Sequence, residues 1–496
     1  HPEHVPDANP YPRAGTTNAT LRFGIVPSHG GATKWIDFDN AKHTYVAQVE
    51  WSKNAPPTFY TLDRAERNGL VFSVDPATGK STELVREHDD AWLNVDASCP
   101  RWLDDGSAFL WSTERSGAWE LELHDRKGAL VRTVVPKKDG YRQLSAVDSA
   151  KKVVVVESSV EPTEQGLGVY SLEASGMASY RVAQSGSFLS ASFGDSNGTY
   201  AFRLASSAAM PRYGVNTITT DSVPKFVRSV ATPPPFSATP EIIRVGQDEM
   251  RVALLWPHGY VQGSKLPLID AAYAGPGYST VLADESAYLR AQWLADATGA
   301  LVVSIDAKGT PNRGRDWERA LAGKLGEVPL DGHVAAISAL EAKYPVIDAK
   351  RVGIYGWSFG GYIAAYAALK RPDIYRVAVI GAPPADWRDY DTAYTERYLG
   401  LPTTDAKQYD AASLLPLART QPTMTPAAML ILHGTADDNV YFLNSLELTA
   451  ALATGRRPYE FGPILGVTHQ LYAPDTSGPV WASVATFLRD RLADAQ

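Results

Sequence analysis

Along residues 1–225, apolar runs of four to six residues alternate with turn signals, and no long stretch of 3.6-residue period interrupts them. The pattern predicts β-strands throughout, grouped in similar units. The first unit runs Val49-Glu50-Trp51, then Phe59-Tyr60-Thr61-Leu62, then Leu70-Val71-Phe72-Ser73-Val74 and the turn Pro76-Ala77-Thr78-Gly79. The second has Pro100-Arg101-Trp102, the turn Asp104-Asp105-Gly106, Phe109-Leu110-Trp111 and Trp119-Glu120-Leu121-Glu122-Leu123. The third has Ser145-Ala146-Val147, Val153-Val154-Val155-Val156 and Gly168-Val169-Tyr170-Ser171-Leu172. The fourth has Ala191-Ser192-Phe193, the turn Asp195-Ser196-Asn197-Gly198 and Tyr200-Ala201-Phe202. Trp51, Trp102, Val147 and Phe193 hold equivalent places, spaced 51, 45 and 46 residues apart. A repeat of about 40–50 residues with four strands fits the blades of a β-propeller. An irregular β-sandwich is the competing arrangement; the recurrence of the turn at a similar place in most units favours the propeller. With a partial unit at residues 18–40, residues 1–228 hold about four to five blades.

Residues 229–240 include three consecutive prolines, which fix φ and remove donors, so they read as a linker. From residue 241 to 496 the pattern changes. Apolar strands at residues 266–271, 300–305, 351–355, 377–380 and 429–432 alternate with helical stretches such as 286–298 and 332–343. Strand–helix alternation predicts a mostly parallel sheet with helices on both faces.

Composition adds exclusions. Of 496 residues 44% are hydrophobic and 21% charged, which is ordinary for a globular chain. No run of 18 apolar residues occurs, so no membrane-spanning helix is expected. The net charge is −8 and no cluster of Lys and Arg stands out, which argues against nucleic acid as a partner. Cys99 is the sole cysteine, which excludes an internal disulfide; it reads as a small buried hydrophobe.

The strand at 352–355 runs into Gly356-Trp357-Ser358-Phe359-Gly360-Gly361, followed by a helix expected near Tyr362. This is G-x-S-x-G between a strand and a helix, the elbow that presents a nucleophile in the α/β-hydrolase fold. The turn puts Ser358 in a strained conformation beside residues that cannot carry a Cβ. A serine hydroxyl needs a base, and in this fold an acid and a histidine follow it, in that order. The strand at 429–432 ends in His433-Gly434-Thr435-Ala436-Asp437-Asp438-Asn439-Val440, where either aspartate suits the acid. His469 is the only histidine beyond the next expected strand, and it is the expected base; His433 is expected to support the turn. Tyr273, after the strand at 268–272, sits where a phenol would join the Phe359 amide in holding an oxyanion. Spacing alone leaves open whether Tyr273 instead packs at the strand end. Trp387, Tyr390 and Tyr394 are spaced to share one helix face just past a strand expected to border the nucleophile strand, where ligands bind in open α/β sheets.

These residues bring a family into view. The chain resembles the prolyl oligopeptidase clan of serine peptidases and, within it, the dipeptidyl peptidase IV group. The matches are Tyr273-Ala274-Gly275-Pro276, Gly356-Trp357-Ser358-Phe359-Gly360-Gly361, Tyr394-Thr395-Glu396-Arg397-Tyr398-Leu399-Gly400 and His433 to Val440. The propeller half matches more loosely, through Tyr11-Pro12-Arg13-Ala14-Gly15-Thr16-Thr17-Asn18 and Phe109-Leu110-Trp111-Ser112-Thr113-Glu114-Arg115. The resemblance implies Ser358 as nucleophile, His469 as base and Asp437 as the acid, with Tyr273 and the Phe359 amide as oxyanion hole. It implies Phe359, Trp387, Tyr390, Tyr394 and Val440 as a pocket for a penultimate proline, and Asn439 as a binder of a substrate carbonyl. A flat ring among aromatic faces buries apolar area and asks for no N–H partner.

The chain departs from the family in three places. Gln470 stands where members carry a glycine after the base, and the Asp-Gly-Arg-Gly turn reads Asp306-Ala307-Lys308-Gly309. The glutamate pair that clamps a substrate amine has no counterpart; Glu120 and Glu122 belong to a later blade. Four units and a partial one fall short of the family's eight blades, so the expectation is a C-terminal portion of a longer precursor, its propeller completed by a separate N-terminal fragment. The resulting expectation is a serine exopeptidase that releases X-Pro or X-Ala dipeptides through an acyl-enzyme, without metal or cofactor. The rival readings are a tripeptidyl, acylaminoacyl or endo-acting peptidase on the same fold, or a catalytically impaired interaction protein. The resemblance implies a homodimer. The alanine-rich composition without disulfides suits a periplasmic or secreted bacterial protein.

Overall fold

The computed structural model describes residues 10–173, 178–182, 185–194, 198–218, 223–471 and 473–494. The expected turn residues Asp195, Ser196 and Asn197 lie outside them. The amino-terminal half consists of four antiparallel four-stranded sheets and a two-stranded ladder, Gly24–Ile25 with Lys34–Trp35. The four sheets open with Tyr45–Glu50, Arg101–Trp102, Tyr141–Asp148 and Ser187–Phe193 and run outward in chain order, as propeller blades do. Side chains alternate across each strand, so one blade can feed two cores, as the third does. On Val153–Ser158, Val154 and Val156 pack with Trp102 and Leu110, whereas Val155 packs with Leu189 and Phe202 of the last blade.

The equivalence expected of Trp102, Val147 and Phe193 holds, each pairing with the second residue of the next strand (Phe109, Val154 and Tyr200). In the first blade that place belongs to Val49 opposite Phe59; Trp51 lies just past the strand and differs in burial too. Trp102 is 2% exposed and donates its indole N–H to Thr58 at 2.8 Å; Trp51 is 62% exposed. The first blade covers its other face through Phe59 and Phe72 against Phe23 and Ile25, and Trp51 lies outside that contact.

Residues 227–240 carry no strand or helix. Then follow the eight strands of one sheet: β1 (Glu241–Val245), β2 (Met250–Leu255), β3 (Leu266–Ala271), β4 (Leu301–Asp306), β5 (Ile347–Trp357), β6 (Tyr375–Gly381), β7 (Ala428–Gly434) and β8 (Glu460–Ile464). Their spatial order is β1-β2-β4-β3-β5-β6-β7-β8, with the β1–β2 and β2–β4 pairings antiparallel and the remaining five parallel. This is the α/β-hydrolase arrangement. The sheet separates two cores: Leu301, Val303 and Leu268 face one, Val302 and Ile269 the other. The flanking helices used below are α1 (Leu289–Thr298), α2 (Glu327–Lys343), α3 (Phe359–Lys370), α4 (Thr392–Leu399) and α5 (Pro474–Asp494). Helix α2 starts five residues before the expected 332, because Pro329 in its first turn costs no hydrogen bond there. Among the described residues no helix is long and apolar enough to cross a membrane.

Candidate active site

Strand β5 ends in a turn that exposes Ser358. Its φ of 62° and ψ of −124° lie where residues bearing a Cβ are rare, so strain is stored at this position. Glycine is required on both sides. A Cβ on Gly356 would meet the Gly360 carbonyl oxygen at 2.2 Å, and one on Gly360 would meet the Ala272 oxygen at 2.3 Å. The Ser358 amide is anchored on the Gly381 carbonyl at 2.9 Å. Helix α3 begins at once with Phe359 rather than near Tyr362, which places the Phe359 amide among the unpaired donors of a helix N-terminus.

The histidine and acid come from the loops after β8 and β7. His469 Nδ1 lies 2.7 Å from Asp437 Oδ2, both side chains being largely sealed from water. Asp438, which spacing left as an alternative, is exposed. Asp437 is held from several directions. Its Oδ1 accepts the amides of Asn439 and Val440 at 3.0 and 2.9 Å. His433, fully buried, lies 3.2 Å from Oδ2 through Nε2 and donates from the same nitrogen to the Val440 carbonyl at 2.8 Å. A carbonyl can only accept, so that nitrogen carries the proton, and Nδ1 takes the Ser445 hydroxyl at 2.7 Å. Burial pushes the Asp437 carboxyl up, but hydrogen bonds from His433 and His469 outweigh it and hold it at about 2. The acid is therefore ionised at neutral pH and fixes the His469 tautomer with the proton on Nδ1. The His469 carbonyl accepts the Trp357 indole N–H at 2.7 Å, so the residue before the serine also steadies the histidine loop, Gln470 included.

Ser358 and His469 line one cavity of about 510 Å³ with Tyr273, Phe359, Trp387, Tyr390, Tyr394, Asn439 and Val440. Every residue expected at the site thus borders it except Asp437, which stands behind His469. The hydrogen bonds of the site run from Asp437 to His469, and the described structure draws none from the Ser358 hydroxyl to the imidazole. Tyr273 makes no hydrogen bond to another described residue; its ring lies 4.9 Å from Tyr278. Burial pushes its phenol up, so it remains a donor at neutral pH.

The aromatic wall forms otherwise than expected. Trp387 sits in a short 3-10 turn, and Tyr390 is extended and outside α4. Asp391 ends the irregular stretch by accepting the Tyr394 amide at 2.9 Å, so α4 can start only after Tyr390. The three rings still meet, with centroids 5.4–6.0 Å apart.

Sequence reading missed the supports of this wall. Tyr390 donates to Asn439 Oδ1 at 2.9 Å, and Tyr11 donates to the Asn439 carbonyl at 3.0 Å. That leaves the Asn439 amide N–H₂ without a described partner and able to donate. Arg13 meets Asp389 at 2.7 Å, and Ala14 donates its amide to the Tyr390 carbonyl at 2.9 Å. From the first blade, Arg64 and Glu66 pair with Glu396 and Arg397 of α4. The Tyr11–Asn18 segment stood among the loosely matched motifs, but nothing in a single sequence says that it crosses to the catalytic half. Glu120 and Glu122 lie elsewhere; Glu122 is engaged by Arg115 and His124. Cys99 is fully buried and its thiol is pushed up by that burial, as a structural residue would be.

Comparison with known proteins agrees with this architecture. The prolyl oligopeptidase family matches residues 285–495, and the dipeptidyl peptidase IV N-terminal region matches residues 2–211. Human dipeptidyl peptidase 8 (Homo sapiens) is 35% identical over 238 residues, covering 48% of this chain and 26% of its own length. Inactive dipeptidyl peptidase 10 of Mus musculus is 24% identical over 476 residues, 88% of this chain and 58% of its own length. The chain thus spans between about a quarter and three fifths of the length of these curated relatives. The crystal structure of Porphyromonas gingivalis dipeptidyl peptidase 4 superposes with a TM-score of 0.86 at 24% identity, covering 97% of this chain and 68% of that one. A partial propeller, the eight-stranded hydrolase sheet and these two family matches lead to one assignment: the chain belongs to the prolyl oligopeptidase clan, in its dipeptidyl peptidase IV group.

Proposed function

We propose that the cavity cleaves peptides after a penultimate proline, or less well alanine, releasing the N-terminal dipeptide. The observation that carries the proposal is the joint lining of one cavity by Ser358, by the Asp437-held His469 and by an aromatic slot. Ser358 Oγ attacks the carbonyl carbon and gives its proton to His469 Nε2. Asp437 stabilises the imidazolium through Nδ1. The oxyanion rests on the Tyr273 hydroxyl and the Phe359 amide. His469 then protonates the leaving amine, and an ester to Ser358 remains. Water, deprotonated by the same imidazole, cleaves the ester.

The proline ring lies among Phe359, Trp387, Tyr390, Tyr394 and Val440, and Asn439 donates to a substrate carbonyl. The raised pKa of Tyr273 supports its role, because only a protonated phenol donates. The intact trio of Ser358, Asp437 and His469 supports catalysis over the inactivity carried in the name of one relative.

The test is the release of aniline from Gly-Pro-anilide and from its N-acylated form. The reading expects turnover of the free-amine substrate and a clearly lower rate for the blocked one. Equal turnover of both would replace the exopeptidase with an endo-acting or acylaminoacyl enzyme.

A further inference from the structure

The cavity has a second wall that the acyl half of the substrate does not use. Arg290 of α1, Tyr355 of β5, Trp481 of α5, Tyr278 and Gln470 line it. The two walls belong to opposite faces of the sheet. Phe359, Trp387, Tyr390 and Tyr394 pack into one core, and Tyr355, Trp357 and Trp481 into the other. Ser358, at the tip of β5, marks the border. A peptide whose proline occupies the aromatic slot therefore leads its departing half toward Arg290 and Trp481.

The charge of this wall is uncompensated. Among the described residues no aspartate or glutamate lines the cavity, and Arg290 is its only permanently charged side chain. The guanidinium of Arg290, which is exposed, has no ion pair and no hydrogen bond among the described residues; it lies over the Trp481 ring at 4.5 Å. Trp481 is itself held edge-on to Tyr355, with centroids 5.7 Å apart. Stacking fixes the plane of a guanidinium and leaves its in-plane N–H fork open. Arginines elsewhere in this domain close that fork on acids, as Arg371 does on Asp373 and Arg388 on Asp410. An open, positioned fork in a cavity without other charge matches a carboxylate.

We propose that the Arg290–Trp481 wall is the leaving-group subsite, and that Arg290 receives a carboxylate on the departing part of the peptide. The proposal rests on the dipeptide-releasing reading above and names its substrate class: peptides with an anionic group close after the scissile bond. That group is either the C-terminus of a short peptide or an acidic side chain.

The experiment measures kcat/KM for Gly-Pro-Ala and Gly-Pro-Ala-Ala, each with a free C-terminus and as the amide, and for Gly-Pro-Asp-amide against Gly-Pro-Asn-amide. It uses the native protein, Arg290→Gln and Arg290→Lys. The native protein prefers the carboxylate about five- to tenfold at low salt, and the preference shrinks as salt rises. Arg290→Gln brings the ratio near one; Arg290→Lys keeps part of it. Each ratio is internal to one protein, so a general loss of activity in a variant cancels. Preference in the alanine pairs assigns the C-terminus, and preference confined to the Asp/Asn pair assigns the side chain. Ratios near one in every native pair, or a ratio that survives Arg290→Gln, overturn the proposal. Hydrolysis of Gly-Pro-anilide, which carries no such carboxylate, separates the two levels. Its turnover without any carboxylate preference sinks the subsite alone, and its absence sinks the dipeptidyl reading and the subsite with it.

Discussion

The loops that carry Ser358, Asp437 and His469 and the segments that brace the aromatic slot come from different halves of the molecule. Ser358, Asp437 and His469 sit on the hydrolase sheet, each just past the end of a parallel strand, where the backbone fixes position to the accuracy of the sheet itself. The aromatic slot has no such scaffold. It is built from a 3-10 turn, an extended tyrosine and the first turn of α4, and its outer side leans on Tyr11, Arg13, Arg64 and Glu66 from the propeller side. On the proposed function, the difference makes reactivity and selectivity separable. Substitution on the sheet should act on kcat; substitution at the brace should act on substrate binding and stability.

The largest expected effect breaks the chemical side. Asp437→Asn removes the acceptor that fixes the His469 tautomer, and kcat falls about ten-thousandfold, checked by single-turnover kinetics with the anilide substrate. The same variant sharpens the electrostatics. The Asp437 pKa of about 2 in the folded protein lies below its ordinary 3.8, so the ionised carboxylate stabilises the fold above about pH 4. That stabilisation, about 2 kcal/mol, is lost as pH falls from 4 toward 2. Melting curves across this window should therefore drop more steeply for the native protein than for Asp437→Asn.

The brace comes next. Glu66→Gln leaves Arg397 without its carboxylate across the propeller–hydrolase contact. Because Arg397 is partly open to solvent, the expected loss is moderate, about 1–3 kcal/mol by chemical denaturation, with KM for proline substrates raised and kcat within about threefold. Tyr11→Phe is the smallest. It removes one hydrogen bond to the Asn439 carbonyl and raises KM about two- to tenfold with little change in kcat. A fall in kcat without a change in KM for either brace variant would abolish the distinction between the two halves.

What was legible in the sequence follows the same division. The propeller strands declare themselves by alternation, and the elbow by glycines that the close backbone approach demands. The order of Ser358, His433–Val440 and His469 along the chain is enough to single out His469, which lies 2.7 Å from Asp437. The choice between Asp437 and Asp438 was not readable from spacing, because adjacent residues differ only in which one the turn buries. Tyr390 was expected on a helix because four-residue spacing is all that a sequence offers; the Asp391 cap that ends the irregular stretch acts through a backbone angle. Tyr11, Arg64 and Glu66 were silent because their partners lie more than 300 positions away and on another domain. Arg290 was silent for another reason: its unpaired state is a property of what surrounds it.

The central claim is that His469, held by Asp437, makes the Ser358 hydroxyl reactive. Labelling with a fluorophosphonate probe, read by peptide mass spectrometry on the folded protein, tests it most directly. The account predicts modification at Ser358, lost in Ser358→Ala and slowed at least about a thousandfold in His469→Ala. A native, folded protein that leaves Ser358 unmodified, or one that labels equally fast without His469, would contradict it.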